Sequence, residues 1–139
     1  MNYLGLDLGS KTVGVSISTS GIIANNLTTI RFTENNYDEA SLEVIKLVKS
    51  NKIDVLVIGV PRHMNHDLGI RGQISVDFKE KLLESIEIEI VLWDERMTTQ
   101  IALKTLSSGK TKYQKQRKLK DELAATLILQ NYLDFINNK

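Results

Sequence analysis

Acidic residues stand at the ends of apolar segments at three distant places in this 139-residue chain. Asp7 lies between leucines and glycines, Asp94 and Glu95 directly follow an apolar run, and Asp121 precedes the last apolar periodic segment. A carboxylate in an apolar strand is costly unless something binds it. If the fold brings these acids to one sheet edge, a divalent cation would relieve their repulsion, and oxygen ligands favour Mg²⁺ or Mn²⁺.

Such a site suits phosphodiester hydrolysis, because bound metal ions can activate water and stabilise the leaving oxygen without a nucleophilic side chain. Just before Asp121, the segment from Lys110 to Lys120 holds six of the 18 Lys and Arg residues and no acid. This basic segment could bind a nucleic-acid backbone. Plainer interpretations exist: Asp94 as a helix cap, Asp121 as a first-turn acid, and the basic segment as a solvated face. Asp7 has no such capping role.

The elements that would position these acids follow from hydrophobic periodicity. Alternation puts Leu4, Leu6 and Leu8 on one face of a first strand, so Asp7 shares the other face with glycines. We predict strands at 3–8, 13–18, 27–32, 54–60 and 86–93, and helices at 38–50, 76–85, 99–106 and 121–136. Short turns predict antiparallel hairpins for the first three strands, and helical crossovers predict parallel pairing for the last two. The fold class is therefore α/β, a three-layer domain with a five-stranded mixed sheet flanked by helices.

Composition limits the class of protein. With 42% hydrophobic and 25% charged residues and no low-complexity tract, residues 1–139 are expected to form a single domain. The absence of cysteine excludes disulfides, thiolate metal sites and thiol catalysis. No stretch reaches the roughly 18 apolar residues of a membrane span, so we expect a cytoplasmic protein with no membrane partner.

Four motifs, in order along the chain, resemble the YqgF (RuvX-like) family, described as pre-16S rRNA nucleases and formerly as Holliday junction resolvases. They are Gly5 to Ser16, Ile58 to Pro61 with Gly69 to Gly72, Trp93 to Thr99, and Lys120 to Ala125. The resemblance implies an RNase H-like fold in which Asp7, Glu95 and Asp121 hold magnesium and catalyse hydrolysis, with Asp94 as an alternate ligand. Junction-resolving relatives often carry a second aspartate on the last helix, at the position of Ala124.

The expected partner is nucleic acid, either structured RNA or branched DNA, bound by a monomer or homodimer. The candidate nucleic-acid-binding residues are Lys11, Arg62, Arg71, Arg96, Lys110, Lys112, Lys115, Arg117 and Lys118. The preferred function is a magnesium-dependent nuclease that matures the 5′ end of pre-16S rRNA. The alternatives are cleavage of four-way DNA junctions, ATP hydrolysis through the turn after Asp7, and a non-catalytic nucleic-acid-binding module.

Overall fold

A five-stranded mixed sheet forms the centre of the computed structural model, which describes residues 1–60, 69–94 and 113–138. Side chains are described for these residues except 70, 71 and 113–122. The strands are β1 (Tyr3–Leu8), β2 (Thr12–Ser18), β3 (Asn25–Arg31), β4 (Val55–Val60) and β5 (Glu89–Asp94), in the spatial order β3-β2-β1-β4-β5. β2 pairs antiparallel with β1 and β3, whereas β4 pairs parallel with β1 and β5. The predicted hairpins and crossovers are confirmed.

Helices cover both faces of the sheet. α1 (Tyr37–Ser50) and α2 (Gly69–Leu83) pack on one face, against Leu4, Leu6 and Leu8 of β1, as the alternation predicts. The long helix α3 (Tyr113–Asn137) packs on the other face and buries Ile128, Leu129 and Leu133. The domain therefore has three layers, with the face of Asp7 turned toward α3. Among the described residues, no helix is long and apolar enough to cross a membrane.

Two helices begin about two turns earlier than predicted, whereas α1 begins within one residue of the prediction. α3 begins at Tyr113 rather than Asp121, because Gln, Lys, Arg and Leu between them favour helix even without an apolar period. Asp121 is thus inside a helix, and its interpretation as a first-turn acid is wrong.

α2 begins at Gly69 rather than residue 76. Ser75 donates a hydrogen bond to the Gly59 carbonyl of β4 at 3.3 Å, so packing keeps these turns helical despite their glycines.

The strand boundaries also differ from the prediction. β5 begins at Glu89 rather than Ile86, because Ile86 still donates its backbone N–H to Leu82 at the end of α2. β3 begins at Asn25, two residues before the prediction. The predicted short helix at 99–106 lies outside the described residues.

Candidate active site

Asp7 is the next-to-last residue of β1 and lies on the sheet face covered by α3. It is half-buried, and its partner across the antiparallel pair is Gly14. Gly5 and Gly9 lie two residues away on either side of it. The carboxylate is therefore flanked by positions without side chains, which leaves its oxygens accessible to a small cation. Carboxylate oxygen is the donor that Mg²⁺ and Mn²⁺ prefer, so Asp7 fits such an ion.

The turn between β1 and β2 is held by backbone hydrogen bonds. The Gly9 N–H donates to the Thr12 carbonyl at 2.7 Å, which closes the turn. From the segment after β3, the Phe32 N–H donates to the Lys11 carbonyl at 2.9 Å, and the Asn35 N–H donates to the Ser10 carbonyl at 2.8 Å. The exposed side chain of Lys11 thus projects from a fixed loop directly after the strand that carries Asp7.

α3 approaches the sheet closely beside Asp7. Ala125 lies against Gly14, since a Cβ at Gly14 would be 3.4 Å from the Ala125 Cβ and 3.7 Å from the Asp7 Cβ. The Ser16 hydroxyl of β2 donates to the Ala125 carbonyl at 2.7 Å. Ala125 is thus in contact with the neighbourhood of Asp7, although 118 positions separate the two residues in the sequence.

The direction of α3 brings Asp121 toward the same end of the sheet as Asp7. Tyr132 contacts Tyr3 at the start of β1, with ring centroids 6.4 Å apart, whereas Ala125 lies at the level of Gly5 and Gly14. The helix therefore runs antiparallel to β1. Asp121 precedes Ala125 by one turn, about 6 Å along the axis, and shares its helix face.

Asp94 ends β5 on the opposite face of the sheet. The alternating neighbours Val91 and Trp93 pack with the α3 core, while Ile90 and Leu92 pack with the α1–α2 core. By the same alternation, Asp94 belongs to the α1–α2 face. This placement does not favour Asp94 as a ligand beside Asp7.

The side chains of the other predicted site residues are not among those that the structure describes, and these residues form two groups. Glu95, Arg96, Arg62, Lys110 and Lys112 lie wholly outside the described residues. For Asp121, Arg71, Lys115, Arg117 and Lys118 the helix backbone is described, but their side chains lie outside it. Within the described part of the chain, no group of three or more His, Asp or Glu side chains could hold a metal ion.

Ser16 was not among the residues singled out from the sequence. It is fully buried, and its hydroxyl reaches α3 rather than a neighbour on its own strand. The sequence did contain a signal for this residue. Ser16 is two residues after Gly14 on β2, and both lie on the sheet face of Asp7, since Gly14 pairs with Asp7. A hydroxyl on that face of an apolar strand must find a partner when buried.

Comparison with known proteins agrees with this arrangement. The family model described as "RuvX: Holliday junction resolvase" matches residues 1–135. The chain belongs to the RuvX family.

Two relatives carry the name "Putative pre-16S rRNA nuclease". One, from Onion yellows phytoplasma (strain OY-M), is 46% identical over 134 residues, which cover 96% of this chain and 89% of the relative. The other, from Staphylococcus epidermidis (strain ATCC 12228 / FDA PCI 1200), is 46% identical over 135 residues, which cover 96% of this chain and 95% of the relative.

Solved structures extend the similarity to the fold. The structure titled "T. thermophilus RuvC in complex with Holliday junction substrate" matches with a TM-score of 0.63 at 10% identity, and the match covers 100% of this chain and 97% of that one. A second Thermus thermophilus RuvC structure matches with a TM-score of 0.58 at 10% identity over 96% of this chain and 94% of that one. At this identity the likeness shows the fold alone. It confirms the predicted RNase H-like architecture of this RuvX family member.

Proposed function

We propose that this RuvX family protein is a divalent-metal-dependent nuclease that processes the 5′ end of pre-16S rRNA. The observation that carries the proposal is the antiparallel passage of α3 across β1, which brings the Asp121 turn and Asp7 to one end of one sheet face. The names of the relatives supply the substrate. The same substrate is in keeping with the cytoplasmic location expected from the sequence.

Asp7, Glu95 and Asp121 are the proposed ligands and catalytic acids. Asp94 belongs to the α1–α2 face of the sheet, which argues against it as a ligand beside Asp7, so Glu95 is kept as the proposed acid of this pair. Mg²⁺ or Mn²⁺ held there would activate a water molecule and offset negative charge on the scissile phosphate. The protein's own contribution is to hold Asp7 near the end of a rigid strand and Asp121 within a long helix.

Basic positions on α3 support a nucleic-acid substrate. Arg117 and Lys118 lie four and three positions before Asp121, so helical periodicity puts all three on one face of α3. Lys115 lies one turn before Lys118. We propose that these residues, with Lys11 on the β1–β2 turn, bind substrate phosphates beside the acids. Arg62, Arg71, Arg96, Lys110 and Lys112 remain proposed contacts from the sequence alone.

Substituting Asp7 tests the metal mechanism. We expect Asp7→Asn to reduce magnesium-dependent cleavage of a pre-16S rRNA 5′ fragment by at least about 100-fold, since the variant removes the charge of a proposed ligand. Asp77→Asn is the matched control, because Asp77 is an exposed acid on α2, on the other side of the sheet. Far-ultraviolet circular dichroism should show both variants folded. Full cleavage by Asp7→Asn would contradict the proposal.

Cleavage of Holliday junctions is the second candidate, favoured by the description of the family model. The junction-resolving pattern of a second aspartate on the last helix is missing, because this chain has Ala124 there. Symmetric cleavage of a four-way junction also needs a two-fold dimer. Incubating the wild-type protein with both substrates distinguishes the candidates: junction cleavage without cleavage of precursor RNA, together with a dimer in light scattering, would replace the preferred function.

A further inference from the structure

The contact between β2 and α3 at Ser16 has a geometry that bears on the proposed site. The Ser16 side chain is fully buried, and its hydroxyl donates to the Ala125 carbonyl at 2.7 Å. Ala125 lies in the interior of α3, where its carbonyl also accepts the regular helical bond from the Leu129 N–H. Ser16 therefore adds a directional bond between sheet and helix at a place where the helix needs none for its own stability.

The strand beside Ser16 is shaped to allow this contact. A Cβ at Gly5 would lie 2.4 Å from the Ser16 Oγ, 2.8 Å from the Leu129 Cβ and 3.1 Å from the Ala125 carbonyl oxygen. The first two distances are shorter than atoms tolerate, so the close approach of α3 requires glycine at this position. Gly5, Ser16 and Ala125 together form what we term the sheet–helix clamp.

The clamp lies at a fixed distance from both described acid positions. Asp7 is two residues beyond Gly5 on β1, about 7 Å along the strand. Asp121 is one turn before Ala125 on α3, about 6 Å along the helix. Because α3 and β1 are antiparallel, the step from Gly5 to Asp7 and the step from Ala125 back to Asp121 lead toward the same end of the sheet. A slide of α3 along β1 would therefore change the separation of Asp7 and Asp121 directly.

We propose that Ser16 is a positioning residue for the metal site, acting through the register of α3 on the sheet. This inference rests on the proposed function, because it assumes that Asp7 and Asp121 share a cation. The apolar contacts of Ile128, Leu129 and Leu133 hold α3 against the sheet, but such contacts are non-directional. The Ser16 bond fixes which turn of the helix lies over which residue of the strand.

Other polar contacts tether the distant half of α3 and provide a matched control. Gln130 accepts from the Ala24 N–H at 2.8 Å and donates to the Ile22 carbonyl at 2.8 Å. This tether is nine residues beyond Asp121, about 13 Å along the helix. Its loss would loosen α3 without releasing the turn next to Asp7.

The test compares Ser16→Ala with Gln130→Ala and Ser18→Ala in the full chain. Ser18 is also buried on β2, and its hydroxyl accepts from the Gly21 N–H at 3.1 Å, in the loop after the strand. Mn²⁺ affinity is measured by isothermal titration calorimetry, and the Mg²⁺ concentration for half-maximal cleavage is measured alongside KM for RNA. Melting curves monitor stability.

We expect Ser16→Ala to weaken Mn²⁺ binding by up to about five-fold, the factor that corresponds to one buried hydrogen bond. The half-maximal Mg²⁺ concentration should rise by the same factor while KM for RNA stays unchanged. Ser18→Ala and Gln130→Ala should bind Mn²⁺ as the wild type does, even where they lower the melting temperature as much as Ser16→Ala.

Two results would overturn the inference while leaving the proposed function intact. Either Ser16→Ala binds Mn²⁺ with wild-type affinity, or Gln130→Ala weakens binding equally, which would mean that general loosening of α3 is responsible. A different pattern marks failure of the proposed function itself: the wild type binds no Mn²⁺, or Asp7→Asn binds it as tightly as the wild type does. The inference then fails with it.

Discussion

Replacing Gly5 with alanine is a sharp test of how closely α3 packs on the sheet. The added methyl group would lie 2.4 Å from the Ser16 Oγ and 2.8 Å from the Leu129 Cβ. The Leu129 Cβ cannot yield without moving its own backbone, and the Ser16 hydroxyl can turn away only by giving up its bond to the Ala125 carbonyl. Overpacking of this kind costs about 1–3 kcal/mol.

A second cost comes from the clamp. If α3 moves outward to make room, the hydrogen bond from Ser16 to Ala125 breaks, which costs about 1 kcal/mol. Alanine restricts the unfolded chain more than glycine does, and this offsets about 0.5–1 kcal/mol. The expected net loss in the free energy of unfolding is therefore about 1–3.5 kcal/mol. For a domain of this size, that loss lowers the melting temperature by about 3–12 °C.

Gly14→Ala is the matched control for Gly5→Ala. Gly14 is also a strand glycine facing α3, but its added methyl would meet Ala125 Cβ at 3.4 Å and Asp7 Cβ at 3.7 Å, which are ordinary contact distances. Its free energy of unfolding should change by less than about 1 kcal/mol. Urea unfolding monitored by Trp93 fluorescence measures both variants. Equal costs for the two substitutions, or no cost for Gly5→Ala, would refute the close-packing explanation.

Two further predictions concern the two helical layers. Leu129→Ala, in the α3 core, should lower the free energy of unfolding by about 2–5 kcal/mol in urea titrations, because the fully buried side chain leaves a cavity; a cost below 1 kcal/mol would mean that the layer is loosely packed. Between α1 and α2, the hydrogen bond from Lys81 to Asp38 raises the pKa of Lys81, so the contact stabilises the fold below pH 10.5 and this stabilisation is lost as the pH rises through the raised value. Asp38→Asn should therefore lower the pKa of Lys81 in an NMR titration, and an unchanged pKa would exclude Asp38 as the cause.

Most of the sheet could be predicted from the sequence because its strands carry strong and different patterns. β1 and β2 alternate between apolar residues and small or polar ones, which predicts a face for each residue, and the structure bears out these faces. β4 is apolar throughout and occupies a central position between two parallel neighbours. In each case the burial of the strand determines its pattern of apolar residues, so the local sequence is enough to predict the strand.

The start of α3 could not be predicted in the same way. Apart from Tyr113 and Leu119, residues 113 to 120 are polar or basic, so they lack the apolar period that marks a packed helix. Their helical state follows from propensity and from continuity with the packed turns beyond Ala125. This matters for the proposed site. In the sequence the basic residues at 115–120 look like a separate segment, but in the structure they belong to the helix that carries Asp121.

The sheet–helix clamp could not be predicted from sequence patterns either. Gly5 and Gly14 look alike in sequence, since each occupies an alternating position on a strand next to leucine or valine. Only the position of α3 distinguishes them, because the helix backbone and Leu129 lie over Gly5 while the methyl of Ala125 lies near Gly14. A contact between residues 16 and 125 depends on how two layers dock, which no local pattern encodes.

Side-chain size along α3 explains how one helix can serve both stability and the proposed site. Away from Asp7, large rings fill the space between helix and sheet: Tyr132 packs on Tyr3 and on Trp93, with ring centroids 6.4 and 5.8 Å apart. Beside Asp7 the contacts are made by glycine, serine and alanine, and the helix backbone itself comes within hydrogen-bonding distance of β2. Long side chains at that end would allow many arrangements, whereas backbone and methyl contacts allow few. Two carboxylates that share a cation must be held in position to within a fraction of an ångström. Small residues therefore suit the part of α3 near the acids, and large residues suit the part where only burial is needed.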